Sequence, residues 1–487
     1  MTITPATVAR LSPPTRRGDD IWTPNLDGHD GPLYLAIADS LAQAIANGTV
    51  PAGTRLPTHR DLAIRLGVTI GTVTRAYAEA GRRGLTDGTV GRGTFVRGPD
   101  ITRPGSGGLV GIDHDRPVTA GGTINLSVNR PAMGPQVEAL QGMLADLSAR
   151  PDVLAHVMGY QFPAGAPAHR AAGAAWMRQA GIETTPDRVL VTAGCQNAQT
   201  IALMTVARPG DVLLTEALAY PGLTSLARRL GLTLEAVALD DEGMRPDALE
   251  AACRGGGRRF VYLTPTIQNP TTAVMGEQRR RDIAAVANRC DALLIEDDVH
   301  GFLAPGHTPI AMLAPERTLF VTSVSKALMP GLRVGYMALP QRIVDAATET
   351  MRATTLMAPP LMAEVVGRWV ADGTAERLTR WQLTEIARRN EVAERCFGLP
   401  GPAEGRVRSF HVWLKIGNGR RADDVVDAAR AQGVHVAGAS AFQVGRGPAP
   451  EAIRISLSAA ADIAELTEGL NRIAEALRFC PDEPALI

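Results

Sequence analysis

Residues 318–335 read TLFVTSVSKALMPGLRVG and contain Lys326, one of only two lysines in a chain of 487 residues, the other being Lys415. Arginine therefore supplies nearly all of the 50 basic residues. Arginine keeps its charge permanently, whereas a buried lysine can lose its proton and attack a carbonyl to form an imine. A lysine retained against this compositional bias is predicted to serve as an amine.

The groups around Lys326 indicate what the amine would react with. An apolar, strand-like run at 319–321 precedes Ser323 and Ser325, and Arg333 follows a Pro-Gly turn. Two hydroxyls, an amine and a guanidinium suit an aldehyde cofactor that carries a phosphate. The segment resembles the Ser-x-Ser-Lys…Arg signature of fold-type I aminotransferases, which use pyridoxal 5'-phosphate (PLP). The motif alone leaves open the alternative of a surface lysine on a loop.

The composition excludes several other classes of protein. The hydrophobic fraction of 45% and the charged fraction of 21% are typical of a soluble globular protein, and the length predicts two or more domains. The five cysteines show neither metal-ligand nor disulfide spacing, which predicts reduced thiols in the cytoplasm and no metal site. No signal peptide and no membrane span are predicted, because no apolar run reaches about 18 residues.

Residues 22–98 predict a small helical module with a hairpin. Apolar residues recur every four positions through 33–45, as on one face of a helix. The residues at 58–61 have the form of a capping box, and a further helix begins at Thr69 after a glycine turn, which together predict a helix-turn-helix. Residues 85–96 alternate and turn like a β-hairpin, the wing of a winged helix.

Positive charge is concentrated in this module, since residues 55–97 contain eight arginines against three acids. Such an excess can neutralise DNA phosphates although the whole chain has no net charge. From 33 to 96 the pattern resembles the winged helix of the GntR regulators, which implies binding of double-stranded promoter DNA. The resemblance implies that six side chains face DNA: Arg60, Thr69, Thr72, Arg75, Arg92 and Thr94. Ile70 stands where the family commonly has a basic residue, so an altered base preference is expected, such as contact with a thymine methyl.

The alternative interpretation of this module is a helical domain with a solvated basic face.

After the module, residues 99–124 are rich in Pro and Gly without any period, which predicts a linker. From 125 to 487, strand followed by helix recurs, which predicts an α/β domain with a mostly parallel central sheet. The resemblance implies the fold-type I aminotransferase fold here, with a smaller α+β subdomain at the C-terminal end.

Acidic residues close one apolar strand of this domain, at 292–298. Ligands of open α/β sheets bind at such strand ends, and a carboxylate there can pair with a protonated pyridine nitrogen. Ordinary solvation of a loop is the alternative. By resemblance the carboxylate is Asp297, and the remaining cofactor-binding residues are Gly194, Cys195, Gln196, Tyr220, Asn269, His300, Ser323, Ser325, Lys326 and Arg333. Free N–H groups at the helix start after Gly194 would hold the phosphate.

A second recognition group is predicted near the C-terminal end. Residues 451–457 alternate as a strand, and by resemblance Arg454 holds the α-carboxylate of an amino acid in a bidentate grip. The alternative is a surface arginine on a half-buried strand. Two departures put efficient transamination in doubt: Thr272 replaces the family's glycine after Asn-Pro-Thr, and His300 replaces a tyrosine beside the ring oxygen.

A winged helix joined to an aminotransferase-like domain resembles the MocR regulators, over about residues 30–470. The resemblance implies a PLP-dependent transcriptional regulator that senses an amino compound through the PLP held on Lys326. It also implies a head-to-tail homodimer. Two alternatives remain open: an active class I/II aminotransferase with a DNA-binding appendage, and a domain that has lost its cofactor and serves as a dimerisation scaffold.

Overall fold

The computed structural model describes residues 22–24, 26, 32–46, 49–51, 54–83, 85–89, 93–96, 122–402, 407–417, 419–445 and 447–479. The chain divides into two compact units, residues 1–107 and 108–487. Arg92 and most of the predicted linker lie outside the described residues. Within the described residues, no helix combines the length and the apolar character needed to cross a membrane.

The first unit is built from helices followed by a hairpin. Its elements are α1 (Leu33–Ala46), α2 (His59–Leu66), α3 (Ile70–Arg82), β1 (Thr86–Thr89) and β2 (Gly93–Val96). The hydroxyl of Thr58 accepts a hydrogen bond from the Asp61 N–H at 3.2 Å, and Gly67 ends α2 in the left-handed conformation with φ 65°. The Thr69 hydroxyl caps α3 in the same way, from the Thr72 N–H at 3.1 Å. The predicted helix-turn-helix is therefore confirmed.

One apolar core holds this unit together. The faces of α1, α2 and α3 that contain Ile37, Leu62 and Val73 are fully buried against one another. The Tyr77 hydroxyl donates to the carbonyl of Pro57 at 2.9 Å, which fixes α3 to the segment before α2. Strand β2 pairs antiparallel with β1, so the predicted hairpin is present.

The second unit alternates strands and helices. Its strands are β3 (Ile124–Asn125), β4 (Val189–Thr192), β5 (Val212–Glu216), β6 (Thr233–Val237), β7 (Leu239–Asp240), β8 (Gly243–Met244), β9 (Arg259–Leu263), β10 (Leu293–Asp297), β11 (Thr318–Ser323), β12 (Gly335–Ala338), β13 (His411–Lys415), β14 (Val434–His435), β15 (Ala437–Gly438) and β16 (Ala452–Ser456). Its helices are α4 (Gln136–Ser148), α5 (Pro151–Met158), α6 (Pro167–Arg178), α7 (Cys195–Val206), α8 (Pro221–Arg229), α9 (Pro246–Cys253), α10 (Glu277–Arg289), α11 (Ile310–Leu313), α12 (Gln341–Thr354), α13 (Pro360–Ala371), α14 (Thr374–Phe397), α15 (Ala422–Ala431) and α16 (Ile463–Phe479).

Seven strands form the central sheet in the order β4-β12-β11-β10-β9-β5-β6. All neighbours are parallel except β12, which is antiparallel to both β11 and β4. Successive residues of β11 alternate between two cores, because Leu319 and Val321 pack on one side of the sheet and Phe320 on the other. Both faces are thus covered by helices, which explains the continuous apolar runs in the sequence. The predicted mostly parallel sheet is confirmed.

A smaller antiparallel sheet, in the order β13-β16-β15, forms the α+β part of this unit. Its apolar side, which includes Val412, Ile453 and Ile455, packs with residues of α14, α15 and α16. Strand β3, directly after the predicted linker, pairs parallel with β14. The first described strand of the second unit therefore pairs with β14 and does not belong to the central sheet.

Candidate functional site

Asp297 ends β10 and is buried, with 5% of its surface exposed. Four donors surround its carboxylate: the Tyr262 hydroxyl and Gln199 Nε2 (2.8 Å) reach Oδ2, while Cys195 Sγ (3.4 Å) and the Val299 N–H (3.3 Å) reach Oδ1. Burial raises the pKa of Asp297, and these donors oppose the shift. A carboxylate held from several sides inside the protein is not a solvated loop acid, so that alternative is wrong.

Lys326 follows β11 and is half-buried. Its Nζ donates to the backbone carbonyl of Asn129. Burial first, and then the charge of Arg454, lower the pKa of Lys326 to about 8, although Cys195 and Asp297 act in the opposite direction. Lys415, in contrast, has a side chain that is 79% exposed. The two lysines are therefore in different surroundings, and the lowered pKa prepares Lys326 to lose its proton near neutral pH.

Arg454 lies on the central strand of the smaller sheet and is only 2% exposed, so the alternative of a surface arginine is wrong. Its Nη1 donates to Asn269 Oδ1 at 2.8 Å, its Nη2 donates to the carbonyl of Ser127, and its guanidinium carbon lies 4.7 Å from the centre of the Phe442 ring. Burial lowers the pKa of Arg454 to about 10. Its Nε has no hydrogen-bond partner among the described residues. A buried guanidinium with donor capacity to spare suits an anionic ligand.

Two buried imidazoles lie beside these groups. His300 follows β10, and its ring centre is 6.3 Å from that of His411 on β13. Asn129 Nδ2 donates to His411 Nδ1 at 3.1 Å. Burial, followed by the charge of Arg454, lowers the pKa of His411 well below its ordinary value. His411 was not predicted as a site residue, since a histidine inside an apolar strand is interpreted as part of the core.

A corner with a helix start and a guanidinium forms where α7 begins. Gly194 precedes α7 with φ 86°, and Arg333 Nη2 donates to the carbonyl of Ala193 at 3.1 Å. A Cβ atom at position 194 would lie 2.5 Å from Arg333 Nη2, so only glycine allows the guanidinium to approach this closely. The free N–H groups of the helix start and the guanidinium together suit a phosphate.

Side chains predicted to contact a cofactor are found around this corner, but not all point toward it. Ser323 Oγ lies 2.7 Å from Ser325 Oγ. Gln196 Nε2 donates to the carbonyl of Gly222 at 3.4 Å, and the Cys195 thiol is directed to Asp297. Burial raises the pKa of that thiol. The Cys195 thiol and the Gln196 amide are therefore each hydrogen-bonded to another protein group.

Tyr220 and Thr272 occupy the turns that border the site. The Tyr220 ring lies over Gly222, where an added Cβ would come within 2.2 Å of it, and burial raises the pKa of its hydroxyl. Thr272 has φ 64°, a left-handed conformation that is unfavourable for a β-branched residue. This conformation explains why a glycine is expected after Asn-Pro-Thr.

The residues present fit PLP. One site provides a half-buried amine, a buried carboxylate and an anion-binding helix start, which match the aldehyde, the ring nitrogen and the phosphate. The fit depends on Lys326, Asp297 and the Gly194 contact with Arg333. The sequence predicted these three features. It did not predict Tyr262 on β9 and Gln199 on α7, which donate hydrogen bonds to Asp297.

Of the six residues predicted to face DNA, five lie among the described residues, and three of these five are exposed. Arg60, Thr69 and Arg75 are exposed, whereas Thr72 and Thr94 are half-buried. The Thr69 and Thr72 hydroxyls lie 2.9 Å apart at the start of α3, so both serve the helix cap. Ile70 is 52% exposed beside them.

Comparison with known families and curated proteins finds two kinds of similarity. The model of the aminotransferase class I and II family matches residues 123–473, and that of the bacterial regulatory proteins of the gntR family matches residues 33–96. YdeF of Bacillus subtilis, an HTH-type transcriptional regulator, is 28% identical over 466 residues, 92% of this chain and 95% of the relative. PtsJ of Salmonella typhimurium, a vitamin B6 salvage pathway transcriptional repressor, is 28% identical over 80% of this chain and 86% of its own length.

Solved structures share the fold of the second unit. An archaeal alanine:glyoxylate aminotransferase superposes with a TM-score of 0.66 at 22% identity, covering 73% of this chain and 91% of that protein. The α-aminoadipate aminotransferase LysN of Thermus thermophilus superposes with a TM-score of 0.64 at 25% identity, covering 74% of this chain and 92% of that protein.

Proposed function

The chain belongs to the aminotransferase class I and II family, and on this premise we propose that it is a PLP-dependent transcriptional regulator that binds promoter DNA and senses an amino compound. One observation supports the proposal above all others. The chain that matches the gntR family model also contains a site in which Lys326, Asp297 and Arg454 lie near one another. YdeF and PtsJ, which align over most of the chain, are named a regulator and a repressor, and this supports regulation over catalysis.

PLP, when bound, supplies an electrophilic aldehyde and a ring that withdraws electrons. Lys326 would hold the aldehyde carbon, and Asp297 the ring nitrogen. Arg454 would bind the carboxylate of the amino compound. The remaining contacts are proposed for the ring oxygen (Asn269 and His300), the ring face (Tyr220) and the phosphate (Gly194, Cys195, Gln196, Ser323, Ser325 and Arg333).

Residues 127–129 contact both cations of the site. Arg454 donates to the carbonyl of Ser127, and Lys326 donates to the carbonyl of Asn129. Both cations are therefore bound to the segment that follows the predicted linker. A ligand that engages both cations competes with these carbonyls, and it can bias the arrangement of the two units only if it binds one arrangement better than another.

The test of the function measures DNA binding and ligand binding in one sample. PLP-loaded protein is titrated onto the DNA upstream of its own gene, with and without each member of a panel of amino acids and amines. We expect at least one compound to change both the absorption spectrum and the affinity for DNA. Spectral changes that never alter DNA binding would contradict the proposal.

Arg75→Ala is expected to weaken binding to that DNA and to reduce the slope of log affinity against log salt by about 1, because one phosphate-neutralising charge is lost. The matched control is Arg380→Ala, which removes an exposed arginine from α14 with the same change in net charge. Affinities are measured by fluorescence anisotropy at several salt concentrations. Equal slopes for the Arg75 variant and the unsubstituted protein would contradict the assignment of α3 to DNA.

The rate at which Lys326 captures PLP is expected to rise with pH and to level off near pH 8. The amine attacks only when it is neutral, and burial together with Arg454 lowers its pKa from 10.5 to about 8. Below that pH the neutral fraction grows about tenfold per pH unit. The initial rate of the borohydride-trapped adduct is measured by mass spectrometry across this range. A rate that keeps rising to about pH 10 would show an unshifted amine.

An active aminotransferase is the second candidate, because Lys326, Asp297 and Arg454 provide the minimal groups for that chemistry in one site. Stoichiometric release of an oxo acid from an amino acid by the PLP-loaded protein would favour it. A cofactor-free scaffold would instead load no PLP at all. We also propose a head-to-tail homodimer, and sedimentation of the full chain tests whether the protein is a dimer.

A further inference from the structure

One ring nitrogen of His300 is available as a hydrogen-bond acceptor inside the site. It is 2% exposed, and its Nδ1 lies 3.2 Å from the carbonyl oxygen of Ile267. A carbonyl oxygen only accepts, so Nδ1 carries the proton and donates. The other ring nitrogen, Nε2, is then an unprotonated acceptor in the neutral ring, and it has no hydrogen-bond partner among the described residues. Buried polar atoms of this kind normally have a partner.

The imidazole stays neutral at physiological pH. Burial first, and then the charge of Lys326, lower the pKa of His300 to about 3, and Arg454 adds to the shift while the Ile267 carbonyl opposes it. Protonating Nε2 would create a third buried cation in the field of the other two. His300 therefore presents a ligand with an acceptor and not with a donor.

The amide of Asn269, in contrast, is available as a hydrogen-bond donor. Arg454 Nη1 donates to Asn269 Oδ1 at 2.8 Å, which turns Oδ1 toward the guanidinium and leaves Nδ2 as a donor. Asn269 lies two positions after Ile267, whose carbonyl holds His300. The Ile267 carbonyl therefore orients His300, and Arg454 orients Asn269.

We propose that His300 keeps the ring oxygen of PLP as a neutral hydroxyl, which lies between His300 Nε2 and Asn269 Nδ2. This inference rests on the function proposed above. A hydroxyl satisfies both neighbours, because it donates to Nε2 and accepts from Nδ2. An oxyanion would instead face the lone pair of Nε2. A neutral ring oxygen stabilises positive charge elsewhere in the cofactor less than an oxyanion does, which favours holding an amino compound over converting it. His300 is thus a positioning residue that acts on the cofactor's charge.

The absorption spectrum of the PLP-loaded protein tests this proposal, since the hydroxyl form absorbs at shorter wavelength than the oxyanion. We expect the shorter-wavelength band to dominate at neutral pH. His300→Tyr, which introduces a donor, is expected to shift the ratio of the bands toward the oxyanion roughly tenfold, the size of one buried hydrogen bond. His300→Phe is expected to shift it less. His169→Phe, which removes a buried imidazole that pairs with Glu364 at 3.0 Å, is the matched control and is expected to leave the ratio unchanged.

Failure of this inference can be told apart from failure of the proposed function. A dominant oxyanion band with PLP on Lys326 overturns the inference alone, as does an equal shift in the His169 variant. Absence of a borohydride-stable adduct overturns the proposed function. Nitrogen NMR of the PLP-free protein, with His300→Phe identifying the signal, supplies a readout that needs no cofactor. A charged His300 ring, or one protonated at Nε2, overturns the inference.

Discussion

Lys326→Ala is expected to abolish covalent capture of PLP and to leave no borohydride-stable adduct anywhere on the protein. Only an amine forms the imine that borohydride reduces, and Lys326 is the lysine that its half-buried position prepares to lose a proton. The measurement is the mass of the intact protein after incubation with PLP and reduction, followed by peptide mapping. The unsubstituted protein should gain one adduct, on the peptide that contains Lys326.

The chain offers an unusually clean control, because its only other lysine is Lys415. That side chain is 79% exposed and lies 3.6 Å from Asp241. Lys415→Ala should keep the full adduct, and the double variant should behave like Lys326→Ala alone. The single hydrogen bond that Lys326 makes to Asn129 is worth about 1 kcal/mol, so the fold should survive its loss. An adduct that persists in Lys326→Ala would refute the assignment of the amine.

The sequence predicted most features that local chemistry determines. Thr58 and Thr69 are helix caps because a hydroxyl next to free backbone N–H groups has few other favourable positions. Gly67 ends α2 because its φ of 65° is unfavourable for other residues. The apolar runs of the central sheet were readable for the same reason, since strands covered on both faces contain few polar residues.

The parts of the site that sequence reasoning missed depend on contacts between distant segments. The Cys195 thiol contacts Asp297 across 102 positions, and Asn129 contacts His411 across 282. No spacing in the sequence encodes such pairs. Resemblance named Cys195 among the cofactor-binding residues, but it could not tell that the thiol is directed to the Asp297 carboxylate. Features built from neighbouring residues, such as Gly194 and the start of α7, were predictable. Contacts between residues that are distant in the sequence were not.

The wrong alternatives have a shared cause. Arg454 and Asp297 could each be interpreted as surface residues, because charged side chains are rarely buried. Both are nonetheless buried, and both are compensated: the guanidinium by Asn269 and Ser127, the carboxylate by its four donors. A buried charge with such partners is costly to maintain, and functional sites are where such groups concentrate.

Arg454→Lys is expected to weaken the binding of amino acids to the PLP-loaded protein on the order of a hundredfold, the range for a buried, hydrogen-bonded charge pair. The guanidinium already donates hydrogen bonds to Asn269 Oδ1 and to the Ser127 carbonyl. Its Nε has no hydrogen-bond partner among the described residues. Its planar fork can add a carboxylate to these contacts, whereas a lysine ammonium has three donors at a single point. Spectral titration with an amino acid and with the amine lacking its carboxylate measures the difference.

The comparison between the two ligands separates recognition from damage to the fold. The amine has no carboxylate to lose, so its affinity should change by less than about threefold, the usual size of an indirect effect. Arg389→Lys is the matched control, because Arg389 is equally buried in the second unit but donates to the carbonyls of Leu457 and Ala460. That variant should lose stability without discriminating between the ligands. Equal losses for the amino acid and the amine in Arg454→Lys would remove Arg454 from carboxylate recognition, because the missing carboxylate would then have made no difference.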